Sequence, residues 1–260
     1  GTHASAYNWW HNTRAARLAR LLGKDATLYE REAEGIASGM RQQLWLPDQG
    51  MFAEYRDLLG LKRAHPSAGL WSFYHVLDAA GLVDAREAWQ MTRYVDAHLP
   101  HLPVHGPGVP ADRDYQVLAT TSWMPYTWSI NNVVMGENVH TALGFWQAGR
   151  AEEAFRLLKS ALLASMFMGI CPGNVGSMNY LDVYRRESQR DFADGSGVTS
   201  RAIVEGLFGI RPDALAGELR IAPGLPGEWE RASIRTPDVS LAFERVGGRA
   251  RYVIESRLAH

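Results

Sequence analysis

The chain has 260 residues, 46% of them hydrophobic and 21% charged, with a formal net charge of −1 at pH 7. That is enough apolar material for a large core, and the near-neutral balance removes the electrostatic case for nucleic acid or an anionic membrane surface as a partner. A single cysteine, Cys171, excludes an intramolecular disulfide; the apolar stretch from Ala161 to Cys171 is too short to cross a bilayer, and the first residues do not read as a secretory signal.

Three weakly similar turns organise the first two-thirds of the chain. Leu21-Leu22-Gly23-Lys24-Asp25, Ala79-Ala80-Gly81-Leu82-Val83-Asp84 and Gln147-Ala148-Gly149-Arg150-Ala151-Glu152 each end one helix on a glycine and open the next with an acidic residue. The helix after each turn is amphipathic, with one apolar stripe: Tyr29, Ala33, Ile36, Met40 and Leu44 in the first, Ala88, Trp89, Thr92 and Val95 in the second, Ala154, Phe155, Leu158 and Leu162 in the third. Before the turns, Ala6 to Leu22, Ser67 to Ala80 and Ser129 to Ala148 are apolar or small on nearly all sides, which predicts helices buried in the middle of the molecule. Antiparallel hairpins alternate direction, so the short turns fall at one end. The long connections, 46–66, 99–128 and 167–195, fall at the other, and long connections in compact domains usually carry function.

Those connections and the helix entrances beside them hold an excess of aromatic residues. Carbohydrate sites need flat rings against sugar C–H faces and planar amides or guanidinium groups for hydroxyls. Candidate platforms are Trp10 in Tyr7-Asn8-Trp9-Trp10-His11-Asn12, Trp71 in Leu70-Trp71-Ser72-Phe73-Tyr74-His75, and Trp123, Tyr126, Trp128 and Asn131 at a third entrance; Asn174, Asn179 and Arg190 add polar groups. Each ring on its own fits core packing better; their recurrence at several same-end entrances is what points to a platform. On the first long connection Glu54 is a candidate acid, since Phe52 and Tyr55 would shield it from water, and it also fits a surface ion pair with Arg56 or Arg63. Glu137, Asp182 and Glu187 are weaker candidates. His98, His101 and His105 are separated by prolines that prevent a shared helical face, so no metal or other cofactor is expected.

The run from Arg190 to Gly197, Arg-Asp-Phe-Ala-Asp-Gly-Ser-Gly, gathers Arg190, Asp191 and Asp194 at the entrance of a helix predicted over 198–210. Glycines there allow close backbone approach, and a helix N-terminus favours carboxylates; Asp194 or Ser196 could equally serve as a simple cap. Beyond residue 210 the pattern changes to short strands at 218–222, 231–236, 239–246 and 249–256, with Gly247-Gly248 as a hairpin turn. The predicted organisation is a helical domain, 1–210, followed by a small antiparallel β appendage, 211–260.

Two stretches carry a resemblance to a known family: "LGKDATLYEREAEGIASGMRQQLW…GMFAEY" (22–55) and "DFADGSGVTSRAIVEGLFGIRPDALAGELRIAPGLPGEW" (191–229), the latter ending in Leu225-Pro226-Gly227-Glu228-Trp229. They resemble the C-terminal half of the six-hairpin (α/α)6 glycosidases, and in particular an uncharacterised bacterial glycosidase-like subgroup. The resemblance implies a mainly α fold, a partial α/α toroid, and a glycoside hydrolase, inverting, acting on an oligosaccharide or polysaccharide. Asp194 would be the general base that activates water, with Asp191 orienting Arg190. The family's acid would fall at or before the first residues, and Gly1 to Lys24 contains no Asp or Glu. The expectation is therefore a portion of a longer enzyme, or a chain that associates with itself or with a second polypeptide. A toroid-type polysaccharide lyase and a non-catalytic carbohydrate-binding or scaffold remnant are the alternatives. Sugar identity and compartment are not legible.

Overall fold

The computed structural model of the chain describes residues 1–122, 133–167, 178–181, 188–192 and 194–258. Three helical hairpins come first: α1 (Thr2–Leu21) with α2 (Thr27–Gln43), α3 (Leu70–Asp78) with α4 (Ala85–His98), and α5 (Met135–Gln147) with α6 (Ala151–Phe167). The turns are made by Gly23, Gly81 and Gly149, whose φ angles of 62, 97 and 80° lie in the left-handed region that glycine enters without a Cβ clash. The start of α4 is fixed by a reciprocal box: the Glu87 backbone N–H donates to Asp84 Oδ1 at 2.8 Å, and the Asp84 N–H donates to Glu87 Oε2 at 3.0 Å.

Helices α1, α3, α5 and α7 (Asp194–Arg201) pack in chain order, each on the next, with α2 packed on α1, α4 on α3 and α6 on α5. Helix α5 is the centre of the core, and eleven of its thirteen residues are buried. It approaches α3 closely at Gly144, where a Cβ would stand 2.8 Å from the Phe73 ring. Helix α1 is different. Only Thr2, Ala6, Ala16 and Ala19 are buried, so its small residues mark a close contact on one side and not the all-round burial predicted for it.

The long connections hold short strands that the sequence pattern does not mark. The first folds into two strand pairs, β1 (Trp45–Leu46) with β2 (Met51–Phe52) and β3 (Tyr55–Arg56) with β4 (Ala64–His65), and the second into β5 (His101–Pro103) with β6 (Gln116–Leu118). The third region contributes a three-stranded antiparallel sheet of β7 (Val133–Val134), β8 (Met178–Leu181) and β9 (Ser188–Phe192). Helix α7 begins at Asp194, four residues ahead of the predicted start. It continues as a π-helical segment, Ala202–Leu207, and gives way at residue 210 to β10 (Ile210–Asp213) paired with β11 (Glu218–Ile221). The last sheet, β12 (Arg231–Arg235), β13 (Val239–Val246) and β14 (Arg249–Ser256), is antiparallel throughout.

The predicted mainly α toroid is therefore corrected. Seven α-helices share the described residues with six small antiparallel sheets; the architecture is mixed α and β, and no toroid is shown. Backbone N–H and C=O groups in buried connections must find partners, and pairing of two- to five-residue strands supplies them. Such strands are too short to leave a period-two pattern in the sequence.

The C-terminal strands share the helices' core. Val239, Leu241 and Phe243 on the inward face of β13 are buried in the same apolar cluster as Leu143 and Phe145. Trp146 joins the two parts: its indole N–H donates to the Gly224 carbonyl at 2.9 Å, and a Cβ on Gly206 or Gly224 would fall within 2.4 Å of the ring. No helix among the described residues is long and apolar enough to cross a membrane.

Candidate functional site

Glu54 lies just before β3, and its carboxylate reaches the start of α3. Oε2 accepts the Gly69 backbone N–H and the Ser72 hydroxyl, each at 2.8 Å, and Oε1 accepts the Trp71 indole N–H. Three donors onto a residue that is only 4% exposed make Glu54 the acceptor that closes the N-terminus of α3 and fixes the Trp71 ring. The backbone joins a second helix to the same place, because Thr2 at the start of α1 donates its N–H to the Glu54 carbonyl at 2.9 Å. His3 Nδ1 stands 3.9 Å from Oε1. Glu54 is thus buried and tied to α3, where the alternative reading had it in a surface pair with Arg56 or Arg63.

Leu70 of α3 donates to the Thr120 carbonyl, which brings the second long connection to the same end. Strand β7 runs straight into α5, and β9 is separated by one residue from α7. Asn179 lies on β8 while Arg190 and Asp191 lie on the paired β9, in a register irregular between Met178 and Tyr180. Asp194 is the first residue of α7. These four are therefore brought to one sheet and the helix entrance beside it. Trp123, Tyr126, Trp128, Asn131 and Asn174 lie outside the described residues, as do Asp182 and Glu187.

Trp10 is not at that end. It sits two turns further along α1 and faces a cleft of about 750 Å³ lined by Tyr7, His11 and Arg14 of α1, Asp78 of α3, Gln147 at the end of α5, Arg201 and Glu205, and Arg211 of β10. A polar and aromatic spine leads into this cleft. Tyr7 meets His75 edge to face with centroids 4.3 Å apart, and Tyr74 stacks on His140 at 4.2 Å. His140 Nε2 is 3.2 Å from Asp78 Oδ2. The two Asp78 oxygens also accept from Arg201 at 2.8 and 2.9 Å, and Arg201 donates from Nε and Nη2 to Glu205 at 2.8 and 2.9 Å.

The charges follow from these contacts. Burial works to raise the Asp78 carboxyl, but hydrogen bonds from His140 and Arg201 outweigh it and hold the group well below the usual carboxylate range. Arg201 is raised, by Glu205 first and Asp78 second. Burial pushes the His75 imidazole down to about 4, although the Trp71 carbonyl, 2.6 Å from Nδ1, pulls the other way, so the ring is neutral at pH 7. Sequence reasoning passed over Asp78, Arg201 and Glu205. The available signal was the i, i+4 placement of Tyr74 with Asp78 and of Arg201 with Glu205.

A smaller cleft of about 320 Å³, lined by Asp96, His101, Asp114, Arg150 and Glu153, is less suited to a ligand. Its central cation is occupied: Arg150 donates to Asp96 at 2.7 Å, Glu153 at 2.9 Å and Thr92 at 3.0 Å. Among the described residues no group of three His, Cys, Asp or Glu side chains is placed to hold a metal ion. Comparison of the sequence with protein-family models and with curated proteins returned no match.

Proposed function

We propose that the chain is a glycoside hydrolase, of the inverting type, acting on a neutral oligosaccharide or polysaccharide at the end where α1, α3, α5 and α7 begin. The observation that carries this reading is the convergence at that end of the Glu54-locked Trp71, the β7–β8–β9 sheet bearing Asn179, Arg190 and Asp191, and the α7 entrance bearing Asp194. Asp194 is the general base that activates water, and Asp191 orients Arg190. Glu54 has both oxygens engaged by donors of the fold, so its role in this scheme is to position Trp71 as a sugar platform; the acid that protonates the leaving oxygen is a different group.

The test is turnover of a cleavable oligosaccharide at saturating concentration. Asp194→Asn keeps the shape and a helix-capping oxygen while removing the base, so the rate should fall by about 10²–10⁴-fold with little change in melting temperature. Unchanged turnover removes the base assignment, and a rate loss matched by a large fall in melting temperature assigns Asp194 to capping.

The same proposal includes association with a second copy of the chain or with another polypeptide. Leu18, Leu21 and Leu22 at the end of α1 and Leu28 and Tyr29 at the start of α2 are all exposed around one turn, and large apolar patches are uncommon on monomers. Light scattering at tens of micromolar should show a species heavier than 29.0 kDa, and Leu18→Gln combined with Leu22→Gln should reduce it to the monomer mass. A monomer at that concentration overturns association.

A further inference from the structure

The three arginines that line the larger cleft are in different states. Arg201 spends Nε, Nη1 and both Nη2 hydrogens on Asp78 and Glu205, and it is a staple between helices. Arg211 uses only Nε, which donates to the Glu205 carbonyl at 3.1 Å; its Nη donors have no acceptor among the described residues. Arg14 makes no hydrogen bond to any described residue. Its guanidinium lies over the Trp10 ring, 5.2 Å from the centroid, a cation–π contact that uses none of its N–H donors as hydrogen bonds to a carboxylate. Asp213, a carboxylate that feels the Arg14 charge, is held through both oxygens by Arg17 at 2.7 and 2.8 Å.

Both carboxylates of the cleft, Asp78 and Glu205, are already paired with Arg201. The lining therefore carries three guanidinium groups against two carboxylates, and the two guanidinium groups with unused donors share the cleft with the flat faces of Trp10 and Tyr7. A guanidinium offers parallel N–H groups that match a carboxylate or a phosphate, and an indole face suits the apolar side of a pyranose ring. The cleft is also separate from the proposed hydrolytic end. Arg201 closes α7, seven residues after Asp194, which places it roughly 10 Å further along the helix axis.

We propose that this cleft is a binding site for an acidic sugar, a pyranose whose carboxylate or phosphate is held by Arg14 and Arg211 while its ring lies against Trp10. The site recognises the oxyanion and the ring together. It goes beyond the hydrolytic reading, since it needs neither Asp194 nor turnover.

The experiment is direct binding to the full chain, followed by calorimetry and by tryptophan fluorescence, with glucuronate, glucose 6-phosphate, glucose and inorganic phosphate as probes. At least one of the two acidic sugars should bind ten-fold or more tightly than glucose and than inorganic phosphate, and the tighter of them identifies the preferred oxyanion. Arg14→Gln and Arg211→Gln should each weaken that binding ten-fold or more, while Asp194→Asn leaves it unchanged. Arg14 is exposed and Arg211 half-buried, so neither substitution strands a buried charge, and circular dichroism verifies folding. Acidic sugars that bind no more tightly than glucose overturn the proposal, as does equal affinity for inorganic phosphate or retention of full affinity in both arginine variants. Loss of acidic-sugar binding in Asp194→Asn would likewise overturn it by merging the two sites. Failure of the hydrolytic reading leaves every one of these outcomes readable.

Discussion

At the scale of single residues, the inner faces of α1, α3 and α5 show how burial sets charge. His75 is packed by His3 and Tyr7 of α1, by Tyr74 of its own helix and, more distantly, by His140 of α5, with Asp78 one turn away. Burial holds its folded-state value at about 4, whereas an unfolded histidine titrates near 6.5. Between those two values the unfolded chain binds the extra proton, so stability is fully present above about pH 6.5 and declines as pH falls toward 4. Melting temperatures recorded from pH 7.5 to 4 should show that decline, with up to one proton taken up on unfolding. His75→Gln should remove that proton's share of the slope, and an unchanged slope would assign the effect to other groups. None of this was legible beforehand, because the sequence names His75 without saying that α1 covers it. Glu54 illustrates the same limit: its neighbours Phe52 and Tyr55 suggested shielding from water, but its three donors come from residues 15 to 18 positions later.

At the scale of elements, legibility tracked punctuation. The four C-terminal strands were readable to within one residue because prolines and the Gly247-Gly248 turn, with φ of 57 and 77°, bound them on both sides. The three helical turns were readable from Gly23, Gly81 and Gly149 for the same reason. The strand pairs β1–β2, β3–β4 and β5–β6 were not, since two or three residues carry no periodicity and their partners are set by where the helices leave the chain. Capping gives the clearest quantitative expectation here. Asp84→Ala removes the acceptor for the Glu87 N–H and half of the reciprocal box at the start of α4, which should cost about 0.5–2 kcal/mol in a urea titration. Asp84→Asn should recover most of that. A loss equally large in both variants would mean that the negative charge at the helix start, and not the cap, is what matters.

At the scale of the whole molecule, one carboxylate joins three helices whose residues lie far apart in sequence. Asp78 on α3 meets His140 on α5 and Arg201 on α7, and Arg201 passes the connection to Glu205 in the π-helical segment. The side chain of Asp78 is only 14% exposed, so its removal leaves a guanidinium and an imidazole without this acceptor between the helices. Arg201 keeps 38% exposure, and water can compensate part of the loss. Asp78→Ala should therefore destabilise the protein by on the order of 2–3 kcal/mol, below the range typical of breaking a fully buried pair. In a cycle with Arg201→Ala the two substitutions should be non-additive, because both remove the same Asp78–Arg201 pair, while Glu205 still holds Arg201 when Asp78 is gone. The pH dependence gives an independent check with a fixed sign. A carboxyl depressed in the folded state contributes stability that is present above its unfolded value, near 3.9, and is lost as pH falls through its folded value. The stability gap between the native protein and Asp78→Ala should accordingly narrow below about pH 4, apart from any change at pH 5 to 7 that comes through the neighbouring histidines. A gap that stays the same at pH 3 would show that Asp78 acts through packing, and that charge does not hold the three helices together.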